Sequence, residues 1–320
     1  MLRIVYSPRY NIGFFGLERL HPFDARKYGR AYRALQKHFG GRLKSLTVSP
    51  PRPVNREELL SVHAEYYLDS LNRPAVVARA LELGLLRFLP AWLIDWCVLR
   101  PMRWATMGTV VAAREAMRAG LAVNLAGGYH HAKPAAGEGF CVYADVALAV
   151  HQVREEGLLS EQDRVAHIDL DAHQGNGVAY CFKNDVRVML FDMFNQGIYP
   201  AGDRAALDRV DLPVPLHPRC DGDSYLRLLK EDLPPFLDSV GRSGLLKLAV
   251  YNAGTDVYEG DPLGRLGLSA GQVLERDLFV IDLLRRRAVP TAMVLSGGYH
   301  RDSYRLVAET VKHLIEKYGG

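Results

Sequence analysis

Apolar residues fall into two alternating kinds of segment along this chain. Short, nearly continuous apolar runs at residues 2–6, 121–126, 165–170, 186–191, 246–251 and 289–295 predict strands buried on both faces. Between most of them, residues 107–118, 145–156, 224–239, 270–287 and 304–317 carry the apolar period of helices packed along one side. Strand and helix in alternation predict an α/β fold, a parallel sheet covered by helices on both faces. Polar clusters fall where the strand signals stop: residues 127–131 after one, 169–173 at the close of the next, 252–256 and 296–299 after two more. In open parallel sheets ligands bind at the carboxyl ends of the strands, so these clusters mark one expected site.

Composition narrows the class without changing this picture. The 320 residues are 48% hydrophobic and 24% charged, enough for a large core. A net charge of +4 with scattered positives gives no reason to expect a dedicated nucleic-acid surface. The four cysteines stand far apart with no CxxC pair, so reduced thiols and a cytoplasmic setting are expected, with the nucleus as the alternative in a eukaryotic cell. The opening MLRIVYSPRY lacks the apolar stretch of a signal peptide. The most apolar segment, 85–99, holds Arg87, Pro90 and Asp95 and is too short and too polar to span a bilayer. With Pro90 and Pro101 it reads as partly irregular loop, and its Phe88, Leu89, Trp92, Leu93, Trp96 and Val98 are expected to line an apolar groove near the site.

The clusters carry chemistry. Residues two apart on a strand face the same way, so Asp171 and His173 are expected to present a carboxylate and an imidazole together. A catalytic zinc site takes three protein ligands and one open position, and Asp256 at the end of YNAGTD is the natural third. Tandem His130 and His131 offer imidazoles able to act as base and then acid at neutral pH. Such rings need an orienting partner, and the Asp169 carboxylate and Asn176 amide are the candidates. Tyr299 follows Gly297 and Gly298, which let the backbone turn and approach closely, placing a phenol where it can donate to a developing oxyanion.

These segments resemble a known family. NLAGGYHHAKPAAGEGF (124–140), IDLDAHQGNG (168–177), NAGTDVYEGD (252–261) and SGGY (296–299), in this order, are similar to the zinc-dependent histone deacetylases. The likeness is strongest to class IV, which VYSPRYNIGFFGLERLHPFD at the start also resembles. The resemblance implies the arginase–deacetylase fold, a single domain over residues 1–320 around an eight-stranded parallel sheet. It implies one zinc on Asp171, His173 and Asp256, with iron(II) suited to the same ligands, and a structural potassium held partly by the carbonyls of Asp169, Asp171 and His173. It makes His131 the general base and acid, His130 its electrostatic partner and Tyr299 the oxyanion donor, with Gly139, Phe140 and Tyr199 lining an acyl-lysine tunnel. The implied substrate is an acylated lysine on a protein or peptide, or an acylated small amine. Class IV likeness points to a long acyl chain.

Two departures bear on that reading. Asn176 stands where the major classes carry a second aspartate behind the tandem histidines, and an amide stabilises an imidazolium less than a carboxylate does. Residues 88–103 hold no counterpart of the rim aspartate that grips substrate backbone in class I. Three rivals remain. A two-manganese ureohydrolase needs extra carboxylates where Gly175 and Gly254 stand, and an inactive reader would have lost a ligand or an acid–base group. An acetylpolyamine amidohydrolase wants acidic residues at the mouth, for which Glu138 and Asp95 are the candidates.

Overall fold

The computed structural model describes residues 1–13, 24 and 26–320. Residues 14–23, which carry much of the amino-terminal class IV likeness, lie outside the described residues. The apolar runs form strands β1 (Leu2–Val5), β3 (Leu121–Asn124), β4 (Asp163–Asp169), β5 (Val188–Asn195), β7 (Leu245–Asn252) and β8 (Thr291–Val294). Two further strands, β2 (Thr47–Val48) and β6 (Leu212–Leu216), close the edges. The eight strands pair in parallel in the order β2-β1-β3-β8-β7-β4-β5-β6. Helices including Arg100–Ala119, Asp145–Glu155, Gly222–Ser243, Ala270–Arg286 and Ser303–Tyr318 cover it, giving the single α/β domain expected. β3, β8 and most of β4 and β7 are buried, as strands covered on both faces must be.

Two local expectations are corrected. β5 runs from Val188 to Asn195 rather than 186–191, because Val186 lies in the preceding turn and is exposed. The segment 85–99 is helical rather than partly irregular. It passes through a 3-10 turn (Gly84–Phe88), an α turn (Ala91–Ile94) and a π turn (Asp95–Leu99), then runs straight into Arg100–Ala119. Pro90 caps the start of the α turn within this run, where no amide donor is needed. Arg100 N–H bonds back five residues to Asp95 O, and this wider turn lies just ahead of Pro101, which lacks an amide hydrogen. Phe88, Trp92 and Trp96 face solvent. Among the described residues, no helix is long and apolar enough to cross a membrane.

One buried cation ties the sheet to its helices. Arg276 is fully buried on Ala270–Arg286. Its Nη1 donates to Leu170 O at 3.0 Å and Gly254 O at 2.7 Å, and its Nε donates to Asp277 Oδ1 at 2.9 Å. The two carbonyls belong to the backbone just after β4 and β7. Arg276→Met is expected to lower the stability of the fold by roughly 3–5 kcal/mol, because Asp277 keeps a buried charge without its cation. Chemical denaturation reads this directly, and an unmoved midpoint would refute it.

Candidate active site

Five consecutive strands, β3, β8, β7, β4 and β5, deliver their carboxyl ends to one place. β4 ends at Asp169, so Asp171 and His173 lie in the loop beyond it, and strand alternation is not what aligns them. A turn does so instead. Asp169 Oδ1 accepts the amide of Asp171 at 3.1 Å, and Asp171 Oδ1 accepts the amide of His173 at 2.9 Å. Asp256, in the loop after β7, accepts the Ala172 amide at 2.9 Å and is thereby pulled against the same loop.

His173 Nδ1 stands 3.0 Å from Asp171 Oδ1 and 2.9 Å from Asp256 Oδ2. The ligand atoms of these three buried residues all lie within 4.8 Å of one another. One imidazole nitrogen with two carboxylates is a donor set that suits zinc or iron(II). The electrostatics agree with a cation site. Burial and the charge of Asp171 push Asp256 up to about 7, and the two carboxylates outweigh burial to push His173 up to about 10. The backbone comes close enough to exclude side chains: a Cβ on Gly297 would sit 2.3 Å from Asp256 Oδ2 and 2.5 Å from Asp171 Oδ2. A Cβ on Gly254 would meet Asp171 Oδ2 at 2.3 Å, so no carboxylate for a second metal fits there.

The tandem histidines follow β3 and sit in different electrostatic surroundings. His130 Nδ1 lies 2.8 Å from Asp169 Oδ2; burial opposes its charge, but the Asp169 and Asp171 carboxylates prevail and push it up to about 9. His131 Nδ1 lies 2.8 Å from Asn176 Oδ1. Burial, together with the neighbouring His130 and His173, holds His131 well below the usual imidazole range. One ring is therefore cationic at neutral pH and the other neutral. Tyr299 lies in the loop after β8, its amide donating to Asp261 Oδ2 at 2.7 Å. Its ring lies edge-on to His173, with centroids 5.9 Å apart. Burial and the two nearby carboxylates, Asp171 and Asp256, keep its phenol protonated.

His131, His173 and Tyr299 open onto a cleft of about 330 Å³ that is also lined by Gly139, Phe140, Ile198, Tyr199, Leu263, Glu82, Arg265 and Gly197. The three residues expected along the tunnel, Gly139, Phe140 and Tyr199, are thus together. Phe88, Trp92 and Trp96 do not line this cleft and are exposed. Neither acid expected at the mouth stands free. Asp95 is paired with Arg103, at 2.7 and 3.0 Å, and Glu138 turns inward to Lys133 at 2.8 Å and to Asn176 at 2.7 Å. The acid in the cleft is Glu82, with Arg265 lining it as well.

Sequence reading missed several residues that build this site. Lys27, buried on the helix Lys27–Phe39, donates from Nζ to Ser296 O at 2.6 Å and Gly297 O at 2.9 Å, and so holds the loop that carries Tyr299. Burial lowers its pKa to about 8 against the pull of Asp256, Asp171 and Asp261. A lone lysine in an amino-terminal helix carries no signal of that role. Ile198, Leu263 and Arg265 come from loops whose course depends on the packed sheet.

Comparison with known proteins follows the same lines. The family described as "Histone deacetylase domain" matches residues 21–315. Histone deacetylase 2 of Arabidopsis thaliana is 40% identical over 311 residues, 97% of this chain and 78% of that protein. Probable histone deacetylase 19 of Zea mays is 27% identical over 312 residues, 93% of this chain but 57% of that longer protein. Among solved structures, that of the HDA15 HD domain superposes with a TM-score of 0.75 at 18% identity, covering 99% of this chain and 92% of that one. At that identity the likeness speaks for the fold.

Proposed function

We propose a reaction for this chain on one premise: it belongs to the histone deacetylase family. The reaction is hydrolysis of the amide of an acylated lysine side chain, carried out by a single catalytic domain over residues 1–320. The observation that carries it is the convergence, at the base of one cleft, of a buried Asp171–His173–Asp256 group, a neutral imidazole at His131 and a protonated phenol at Tyr299. The three ligating residues would hold one divalent ion, zinc or iron(II). Such an ion supplies Lewis acidity toward a carbonyl and lowers the pKa of a water it binds. A potassium ion beside Asp169, Asp171 and His173 is part of the same proposal. The buried Asp192 Oδ1, which no donor among the described residues reaches, lies across the β4–β5 register from Asp169 and suits a nearby cation.

The remaining chemistry falls to the chain. His131 takes the proton of the attacking water and later delivers one to the leaving lysine amine, which would otherwise depart as an unstable anion. His130, held cationic by Asp169, stays charged and lowers the energy of negative charge gathering in front of it. Tyr299 donates its hydroxyl hydrogen to the oxygen of the tetrahedral intermediate. Gly139, Phe140 and Tyr199 flank the aliphatic stem of the lysine. Tyr299→Phe is expected to lower turnover on the order of 10²-fold with metal content unchanged. Near-normal turnover would mean that the phenol points elsewhere.

Within the family we place the chain nearest class IV, with a long acyl chain preferred over acetyl. Apolar walls at Phe140, Ile198, Tyr199 and Leu263 support this, since each buried methylene contributes about 0.8 kcal/mol. The second reading, an acylated polyamine as substrate, draws on Glu82, a carboxylate in the cleft suited to a distal amine. The test is catalytic efficiency on lysine peptides carrying acetyl, octanoyl and myristoyl groups beside acylated polyamines. A long-chain lysine peptide is expected to lead. Acetyl-lysine as the best substrate overturns the chain-length part, and an acylated polyamine as the best overturns the lysine part.

A further inference from the structure

Asn176 Nδ2 donates to Glu138 Oε1 at 2.7 Å and to Asp203 Oδ2 at 3.1 Å, while its Oδ1 faces His131 Nδ1 at 2.8 Å. Lys133 Nζ bridges the same two carboxylate oxygens, at 2.8 Å from Glu138 Oε1 and 3.5 Å from Asp203 Oδ2. Asp203 is fixed in turn by the Tyr180 hydroxyl at 3.0 Å and the Ala206 amide at 3.2 Å. An ionised carboxylate only accepts hydrogen bonds, whereas a side-chain amide has one donating and one accepting end. Two acceptors on one side of Asn176 therefore dictate which end faces the other way.

We propose that Glu138 and Asp203, bridged by Lys133, are positioning residues that lock the Asn176 amide with its oxygen toward His131 and so fix the proton of His131 on Nδ1. This rests on the reading of His131 as the base. With the proton on Nδ1, Nε2 keeps its lone pair to take a proton from water. If the amide were reversed, its NH₂ would face Nδ1, that nitrogen would have to accept, and Nε2 would carry the proton and could not act as a base. The same geometry accounts for an amide rather than a carboxylate at 176. A third carboxylate would stand against Glu138 and Asp203 with one lysine between them.

The lock predicts an effect that changes sign with its surroundings. In Glu138→Gln/Asp203→Asn both neighbours can donate or accept, and Lys133 remains as a cation that favours the oxygen end of Asn176. The amide is then free to reverse. Turnover should fall on the order of tenfold to a hundredfold, part of the 10²–10⁴-fold that acid–base catalysis contributes. Adding Asn176→Asp to that background should restore turnover, because a carboxylate presents oxygen whichever way it turns. In the wild-type background Asn176→Asp should instead impair turnover.

The decisive readout is independent of turnover. ¹⁵N NMR of the His131 imidazole in the full chain, with and without added zinc, should show the Nδ1–H tautomer in the wild type. It should show a mixture in the double variant, and Nδ1–H again in the triple variant. The proposal is overturned by an Nε2–H ring in the wild type, by an unchanged tautomer in the double variant, or by Asn176→Asp acting alike in both backgrounds. If no acylated amine is hydrolysed, the function reading fails while the tautomer series still decides the lock. If the double variant fails to fold, the wild-type tautomer and the single Asn176→Asp variant carry the test.

Discussion

Asp256→Ala is expected to lose bound metal and turnover together while keeping its fold. Asp256 contributes one of three converging ligand atoms, at 2.9 Å from His173 Nδ1, and it also accepts the Ala172 amide. Asp171 stays in place without it, because Gly297 N–H donates to Asp171 Oδ2 at 2.8 Å and the Asp169–Asp171–His173 turn is self-contained. Two remaining ligands hold a divalent ion far more weakly than three. The Lewis-acid contribution of such an ion is several kcal/mol, so turnover should fall on the order of 10³-fold or more. Metal per chain, thermal unfolding and turnover measured on one preparation check all three parts. Stoichiometric metal in the purified variant would show that the third ligand has been misassigned. Unfolded protein would show that Asp256 belongs to the scaffold.

The buried centre of the sheet was legible because continuous apolar runs leave few alternatives to a covered parallel strand. Its edges were not. β2 is only Thr47–Val48, too short to show a period. β6 reads LPVPL, and Pro213 and Pro215 argue against a strand; it is tolerated because β6 is the last strand in the order, where an unpaired side needs no donors. The segment 85–99 misled for a related reason. Prolines signal breaks in a sequence, whereas here Pro90 starts a helix and a π turn leads into Pro101.

At the site, Asp171, His173 and Asp256 are legible as a group, although alternation along a strand is not what aligns Asp171 and His173, since β4 ends at Asp169. Their spacing reflects a turn in which each carboxylate caps the amide two residues on. Direction, by contrast, could not be read along the chain. Glu138 stands next to Gly139 in sequence and was expected at the mouth, yet it points to Lys133 and Asn176 because its backbone pairs with Cys141 in a tight turn. Lys27 and Arg276 act on backbone carbonyls far away in the chain, contacts that no local pattern announces.

His131→Ala should remove most of the turnover and His130→Ala markedly less, although the two rings stand side by side with centroids 4.1 Å apart. The difference comes from their partners. His130 is bound to the Asp169 carboxylate and pushed up to about 9, so near neutral pH it keeps its proton and has none of the basicity that water activation requires. His131 has only the Asn176 amide behind it, is held well below the usual imidazole range, and faces the cleft as a neutral ring. It alone can accept a proton and return it within one cycle. Removing it should lower turnover by roughly 10²–10⁴-fold, the usual contribution of positioned acid–base catalysis. His130→Ala removes a fixed cation rather than a proton carrier, so the loss should be smaller. It should also disturb Asp169, which accepts from the Asn252 side-chain amide at 2.8 Å and would be left with less compensation for its buried charge. The measurement is kcat for both variants at matched metal content across pH. A large loss at His131 with a smaller one at His130 is expected. Equal and small losses at both positions would remove His131 from its proposed role, and a larger loss at His130 would exchange the two.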